Sequence, residues 1–187
     1  MMMPDDHNPE RGKLRSCGKA LKGVELKVID DDGNDLETGE IGEVISKSKL
    51  NMKGYWNKPD ATKESIVDGW FYSGDAGFFD EEGFLFIHDR VKDMIVSGGE
   101  NIYPAEVENA LMSHDEILDA AVVGVPDEKW GESVKGFVVV GESSLSEEEI
   151  ISYTRTQIAA YKCPKSIEFI KELPRNPSGK ILRRELR

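Results

Sequence analysis

Along the first half of the chain, apolar and polar residues alternate in short runs separated by turn residues. Val24 to Asp30 reads V-E-L-K-V-I-D and is followed by the turn-forming D-D-G-N and then by I-G-E-V-I-S. This spacing predicts two strands joined by a turn and a short loop. Farther on, D-E-E-G lies between two aromatic-rich runs in "DGWFYSGDAGFFDEEGFLFIHDR", the arrangement of a hairpin turn. No long helical period precedes Pro104, so the first half reads as β.

The pattern changes after "HDRVKDMIVSGGENIYP". Pro104 suits the first turn of a helix on which Val107 and Leu111 fall four apart. "ILDAAVVGV" and "ESVKGFVVV" are near-continuous apolar runs suited to buried strands. Ser146 and Glu149 stand in capping-box spacing, which predicts a helix with Ile150, Thr154, Ile158 and Tyr161 on one stripe, ended by Pro164. "SIEFI" returns as a strand, and "KILRREL" predicts a closing helical turn. The second half is therefore β, α, β, β, α, β, α, and the shift in pattern over 89–93 predicts a domain boundary there, with residues 1–89 on one side and 90–187 on the other.

At 187 residues, with 39% hydrophobic, 32% charged and 8% aromatic positions, the chain suits one or two globular domains. No apolar run approaches the ~20 residues of a membrane helix. The polar start "MMMPDDHNPERGK" has no apolar signal core, which predicts a cytoplasmic setting. Cys17 and Cys163 are far apart and His7, His88 and His114 are scattered, so neither a disulfide framework nor a metal site is expected. A net charge of -12 excludes general nucleic-acid binding. Charge is unevenly spread, however. From Lys162 to Arg187 there are eight Lys or Arg against three Glu, a local net of +5. A basic end on an acidic chain is either a solvated face or a surface that meets an anion.

Several familiar phosphate and catalytic motifs fail on spacing. Pro174 stands where a phosphate loop ending in Gly179-Lys180 needs glycine, and no GxGxxG, GxSxG or HExxH occurs. What remains is a set of polar segments rich in glycine or charge. Asp75, after Gly74, is either a turn acid or an acceptor for ribose hydroxyls. Arg90 is either a surface ion-pair partner or a fork for a nucleotide's polar edge. Gly98 and Gly99 form a turn, or let a thin ligand pass close to side-chain-free backbone. Lys180, on a glycine tip read as mobile, is either solvated or a cation for an anionic transition state.

Taken in order, "GYWNKPDAT", "DGWFYSGDAGFFDEEGF", "DRVKDMIVSGGENIYPAEVE", "AAVVGVPDEKWGE" and "LPRNPSGKILRREL" resemble the C-terminal part of the adenylate-forming superfamily. This superfamily comprises the AMP-forming acyl-CoA synthetases with luciferase and the peptide-synthetase adenylation domains. The resemblance covers the chain from about Ser16 onward, and "DMIVSGGENIYPAEVE" is closer to acyl-CoA synthetases than to peptide-synthetase domains.

The resemblance implies an α+β architecture: a β-rich end of a large N-terminal domain, followed by a small mobile domain in which helices pack on a sheet. It also implies an acid–thiol ligase reaction, in which a carboxylic acid and ATP give an acyl-adenylate and pyrophosphate, and CoA then displaces AMP. By position, Asp75 matches the acid that binds the ribose hydroxyls and Arg90 the ribose-contacting arginine, with Ile87 at the nucleotide's border. Lys92 falls at the hinge, and Lys180 matches the adenylation lysine. Gly98, Gly99 and Glu100 match the segment that lines the pantetheine tunnel. Tyr161, Lys162 and Lys165 have the chemistry to meet the CoA nucleotide by stacking and phosphate pairing.

The superfamily's phosphate-binding loop and the Thr-Glu segment that binds adenine and magnesium are not found in this sequence. The expected reading is therefore a C-terminal portion, inactive alone, with the magnesium ligand elsewhere. Two alternatives stand beside it: a natural binding module or split half that works with a separate N-terminal partner, and a nucleotide or CoA binder without catalysis. Surface that would face a missing domain also predicts self-association through an edge strand.

Overall fold

The computed structural model describes residues 1–141 and 144–187, in two compact units, Met1–Lys92 and Asp93–Arg187.

In the first unit, two short 3-10 turns at Pro4–His7 and Pro9–Arg11 precede an antiparallel sheet made of β1 (Val24–Ile29), β2 (Gly42–Ser48), β3 (Ile66–Val67), β4 (Trp70–Phe79) and β5 (Leu85–Arg90). β4 is central, with β2 along one side and β3 and β5 sharing the other. Val28, Val44 and Leu85 form a small core against which Leu26, Leu36 and Phe79 pack. The region read as β also holds a short helix, α1 (Pro59–Ser65), which opens on Pro59 at a first-turn position where the missing N–H costs nothing. Seven residues are too few for an apolar period to reveal it.

In the second unit, β6 (Ile95–Ser97) and β7 (Glu100–Ile102) form a hairpin, followed by α2 (Pro104–Met112), β8 (Ile117–Asp127), β9 (Gly131–Val140), α3 (Glu147–Gln157) and β10 (Ser166–Phe169). β9 is the spine of this sheet. It pairs antiparallel with β8 over its length, parallel with β10, and with β6 at Ser97 opposite Gly131. Residues of β8 alternate between faces. Ala120 and Val122 join Val107 and Leu111 of α2 and Ile150 of α3 in the main core. Ala121 and Val123 meet Phe137 and Leu173 on the opposite side, where Ile181 and Leu186 of the C-terminal segment pack. Burial of both faces explains the unbroken apolar run of this strand.

Two helical expectations are corrected. α3 opens on the expected Ser146/Glu149 capping box but stops at Gln157, well before Pro164. Ile158 is extended (φ -135°, ψ 167°), which turns its side chain onto the main core. Tyr161 therefore leaves the helical stripe and lies 51% exposed in a 3-10 turn at Ala160–Lys162. The closing segment is a single 3-10 turn at Arg183–Glu185, because Ile181 is extended and bridged to Arg175.

One local device recurs three times. Asp30, Asp80 and Asn176 each accept the N–H of the glycine three residues on, and each donates its own N–H to the carbonyl of the residue four on. Their side-chain oxygens accept the amides at the second and fourth positions beyond. Gly33, Gly83 and Gly179 all have φ near +80°, the left-handed step that lets a three-residue loop close a hairpin. The last of these turns carries Lys180.

Candidate functional site

Asp75 is set by two departures from the β ladder. Between Glu43 and Ile45, β2 has a single residue opposite three of β4, Ser73 to Asp75, so that β4 bulges. The bulge is pinned by side chains: Glu43 Oε1 accepts the Gly74 N–H at 2.9 Å, Ser73 Oγ donates to the Val44 carbonyl at 2.6 Å, and the Asp75 N–H donates back to Ser73 Oγ at 3.1 Å. β5 bulges in turn at His88, restoring Asp75 opposite Arg90. Arg90 Nε lies 2.7 Å from Asp75 Oδ1, with both side chains partly exposed. This arrangement sets a carboxylate acceptor beside guanidinium donors at a solvent-accessible edge, a donor set suited to vicinal hydroxyls. Ile87, on the same strand, is 42% exposed. Lys92 is exposed in the 3-10 turn Val91–Asp93 and is the last residue of the first unit.

In the second unit, Gly98 and Gly99 are the two central residues of the β6–β7 hairpin, with φ of 62° and 88°. Two positive φ values in succession define a type I′ turn, which side chains tolerate poorly. Gly98 donates to the Trp130 carbonyl at 2.9 Å and lies against the Trp130 ring, where an added Cβ would sit 2.6 Å from Cε3. Gly99 and Glu100 are exposed.

Trp130, within the segment AAVVGVPDEKWGE, is a further candidate that is not singled out by residue type alone. Its ring is 40% exposed, with Lys129 Nζ 4.6 Å and Lys165 Nζ 5.2 Å from its centroid. Asp127 Oδ1 accepts the Lys129 and Trp130 amides, which hold its carboxyl below the ordinary range and fix the turn. The sequence signal for it is a tryptophan between a lysine and a glycine directly after an apolar strand. The Lys162 ammonium, by contrast, is engaged by both carboxylate oxygens of Glu106, at 2.8 and 2.7 Å, while Tyr161 beside it stays exposed.

Lys180 is exposed, but its backbone is firmly held. Its N–H donates to Asn176 Oδ1, and its carbonyl accepts the Asn176 N–H, both at 2.9 Å. The loop read as mobile is thus a hydrogen-bonded turn. The candidate residues fall into two groups: Asp75, Ile87 and Arg90 on β4 and β5, and Gly98 to Glu100, Tyr161, Lys162 and Lys180 in the second unit. Among the described residues, no three His, Cys, Asp or Glu side chains converge to hold a metal. No helix among them is long and apolar enough to cross a membrane.

Residues 106–180 match the family model of the AMP-binding enzyme C-terminal domain, and residues 1–56 match that of the AMP-binding enzyme. A fatty acid–[acyl-carrier-protein] ligase of Streptomyces coeruleorubidus is 48% identical over 98% of the chain and 36% of its own length. A long-chain-fatty-acid–CoA ligase of Mycobacterium tuberculosis is 47% identical over 94% of the chain and 35% of its own length. The chain thus spans about a third of the length of these relatives. Among solved structures, the o-succinylbenzoate CoA synthetase of Bacillus subtilis with its acyl-adenylate intermediate superposes with a TM-score of 0.89 at 40% identity. That alignment covers 100% of this chain and 37% of the synthetase. ATP-bound MatB of Rhodopseudomonas palustris gives 0.85 at 36% identity, over 92% of this chain and 35% of MatB.

Proposed function

Because the chain belongs to the AMP-binding, adenylate-forming enzymes and spans about a third of its relatives, we propose that it is the C-terminal portion of an acid–thiol ligase, inactive alone. In the first step a carboxylate oxygen bonds to the α-phosphorus of ATP and pyrophosphate leaves. In the second a thiolate sulfur, of CoA or of a carrier's pantetheine, bonds to the acyl carbon and AMP leaves.

Lys180 faces the first step. Negative charge gathers on the oxygens around phosphorus as the new bond forms, and an ammonium carried on a held backbone favours that state over the ground state. Asp75 and Arg90 hold the ribose hydroxyls, with Ile87 at the edge of the nucleotide. Residues 93–187 act as the mobile domain about Lys92, bringing Lys180 in for adenylation and Gly98, Gly99 and Glu100 in for thiol entry. Trp130, Lys129 and Lys165, with Tyr161 exposed nearby in sequence to Lys165, supply stacking and cations for the CoA nucleotide. Lys162, already neutralised by Glu106, contributes there after exchanging that partner. Magnesium, whose ligand the resemblance places outside these residues, enters no step here. The setting is cytoplasmic, and the unit-one sheet self-associates through an edge strand; a monomer mass independent of concentration by light scattering would refute that association.

The observation that carries the reading is Lys180 held at the tip of a pinned hairpin at the end of the matched C-terminal segment. Joining residues 1–187 to the N-terminal region of the Bacillus subtilis synthetase tests it. The hybrid is expected to show o-succinylbenzoate-dependent pyrophosphate exchange, which Lys180→Ala lowers by about 100-fold or more. A folded hybrid without exchange, an active one indifferent to Lys180→Ala, or pyrophosphate release by the 187-residue chain alone would each refute it.

A further inference from the structure

One peptide bond in the second unit is gripped at both ends by side chains. The Gly179 carbonyl accepts from Arg175 Nη1 at 2.7 Å, and the Lys180 N–H on the other side of that peptide donates to Asn176 Oδ1 at 2.9 Å. The Arg175 guanidinium reaches further, its Nη2 donating to Asp119 Oδ2 on β8 at 2.7 Å. A single planar group therefore spans from the hairpin tip to the sheet.

The rest of this segment is anchored by other means. Ile181 and Leu186 pack on the core beneath β8, the Leu182 N–H donates to the Pro174 carbonyl, and Arg183 Nη2 meets both oxygens of Glu108 on α2 at 2.7 and 2.8 Å. The turn 176–180 projects beyond these anchors with its side chains largely exposed. Arg175 is the side chain that ties it back.

We infer that Arg175, oriented by Asp119, is a positioning residue for Lys180: it fixes the Gly179–Lys180 peptide to β8, so that the lysine travels with the second unit as one body. This rests on the reading of Lys180 as the adenylation lysine. Arginine suits the task because its rigid fork presents separate N–H groups to two acceptors at once, whereas a lysine offers one flexible point charge. The pair is 41% and 33% exposed, so its ionic attraction adds little to stability and its effect is on geometry. A lysine tethered in this way is delivered by movement of the whole unit, and loosening the tether slows adenylation without weakening nucleotide binding.

Amide hydrogen exchange in the full 187-residue chain tests the tether directly, comparing wild type with R175Q, R175K and D119N. R175Q is expected to speed exchange of the Gly179 and Lys180 amides by about tenfold or more, with the β9 amides of Val134 and Val138 unchanged. R175K should fall between wild type and R175Q, and D119N should shift the same two amides in the same direction. Unchanged tip amides, or equal acceleration at Val138, would overturn the inference. In the hybrid described above, R175Q is expected to lower the turnover of pyrophosphate exchange with the KM for ATP within twofold, and to spare thiol transfer from added acyl-adenylate. Equal loss in both steps would count against a positioning role. The exchange arm requires no catalysis, so it decides the tether even if Lys180→Ala leaves adenylation intact, a result that would sink the functional reading instead.

Discussion

Replacing Gly98 by alanine tests the glycine hairpin most sharply, because Gly99 provides an internal control. Both positions have positive φ, 62° and 88°, so a side chain at either costs ~1–2 kcal/mol of backbone strain. They differ in what the new methyl meets. At Gly99 there is open space, whereas at Gly98 the Cβ would lie 2.6 Å from Trp130 Cε3 and 3.1 Å from Cζ3. Relief requires the Trp130 ring to move, and crowding of this kind costs ~1–3 kcal/mol. The ring is 40% exposed and can swing outward, which favours the lower end of that range.

Gly98→Ala should therefore destabilise the second unit by ~2–4 kcal/mol and Gly99→Ala by ~1–2. Urea unfolding followed by Trp130 fluorescence reads this once Trp56 and Trp70 of the first unit are replaced by Phe. The emission of folded Gly98→Ala should also shift as the ring moves between Lys129 and Lys165. Equal losses for the two variants within ~0.5 kcal/mol, with unchanged emission, would show that the ring contact has no energetic role.

Leu111 is fully buried between α2 and the sheet, so Leu111→Ala should cost ~2–5 kcal/mol in the same unfolding assay, and a loss under ~1 would mean that the site collapses freely. The Glu149 carboxyl is lowered from 4.5 by hydrogen bonds from the Ser146 backbone and side chain, so its contribution to stability is complete above 4.5 and is lost as pH falls through the lower folded value. Glu149→Gln should accordingly flatten the acid limb of thermal stability below that pH, and an unchanged acid limb would refute the assignment. Glu43→Ala strips the Gly74 N–H of its acceptor and should cost ~1 kcal/mol, the low end because water reaches the site. It should also weaken AMP binding by the hybrid several-fold in calorimetry while circular dichroism stays unchanged, and undiminished affinity would show that the bulge does not present Asp75.

Interactions closed within a few residues were legible in the sequence, and those closed across the fold were not. D-D-D-G-N and D-E-E-G-F each hold an aspartate three residues ahead of a glycine, and every bond of the turn joins residues at most four apart. N-P-S-G-K closes in the same way, but its glycine suggests a mobile tip until the Asn176 bonds are seen. The capping box of α3, the alternating strands and the ordered segments shared with the adenylate-forming enzymes were readable for the same reason. The end of α3 was not, because Ile158 leaves the helix to reach a core assembled from α2, α3 and the sheet.

The partners that set the chemistry of the cations were equally hidden. Lys162 finds Glu106, and Arg175 finds Asp119, each 56 residues away in the chain. Trp130 meets Lys165 and Gly98 only once β9 brings the start of its strand beside the β6–β7 hairpin. Short runs of residues carry the caps, the aspartate turns and the alternation of the strands. Tertiary packing decided which charges are engaged and which face solvent, because an ion pair or a ring contact depends on distances that no short run of residues sets.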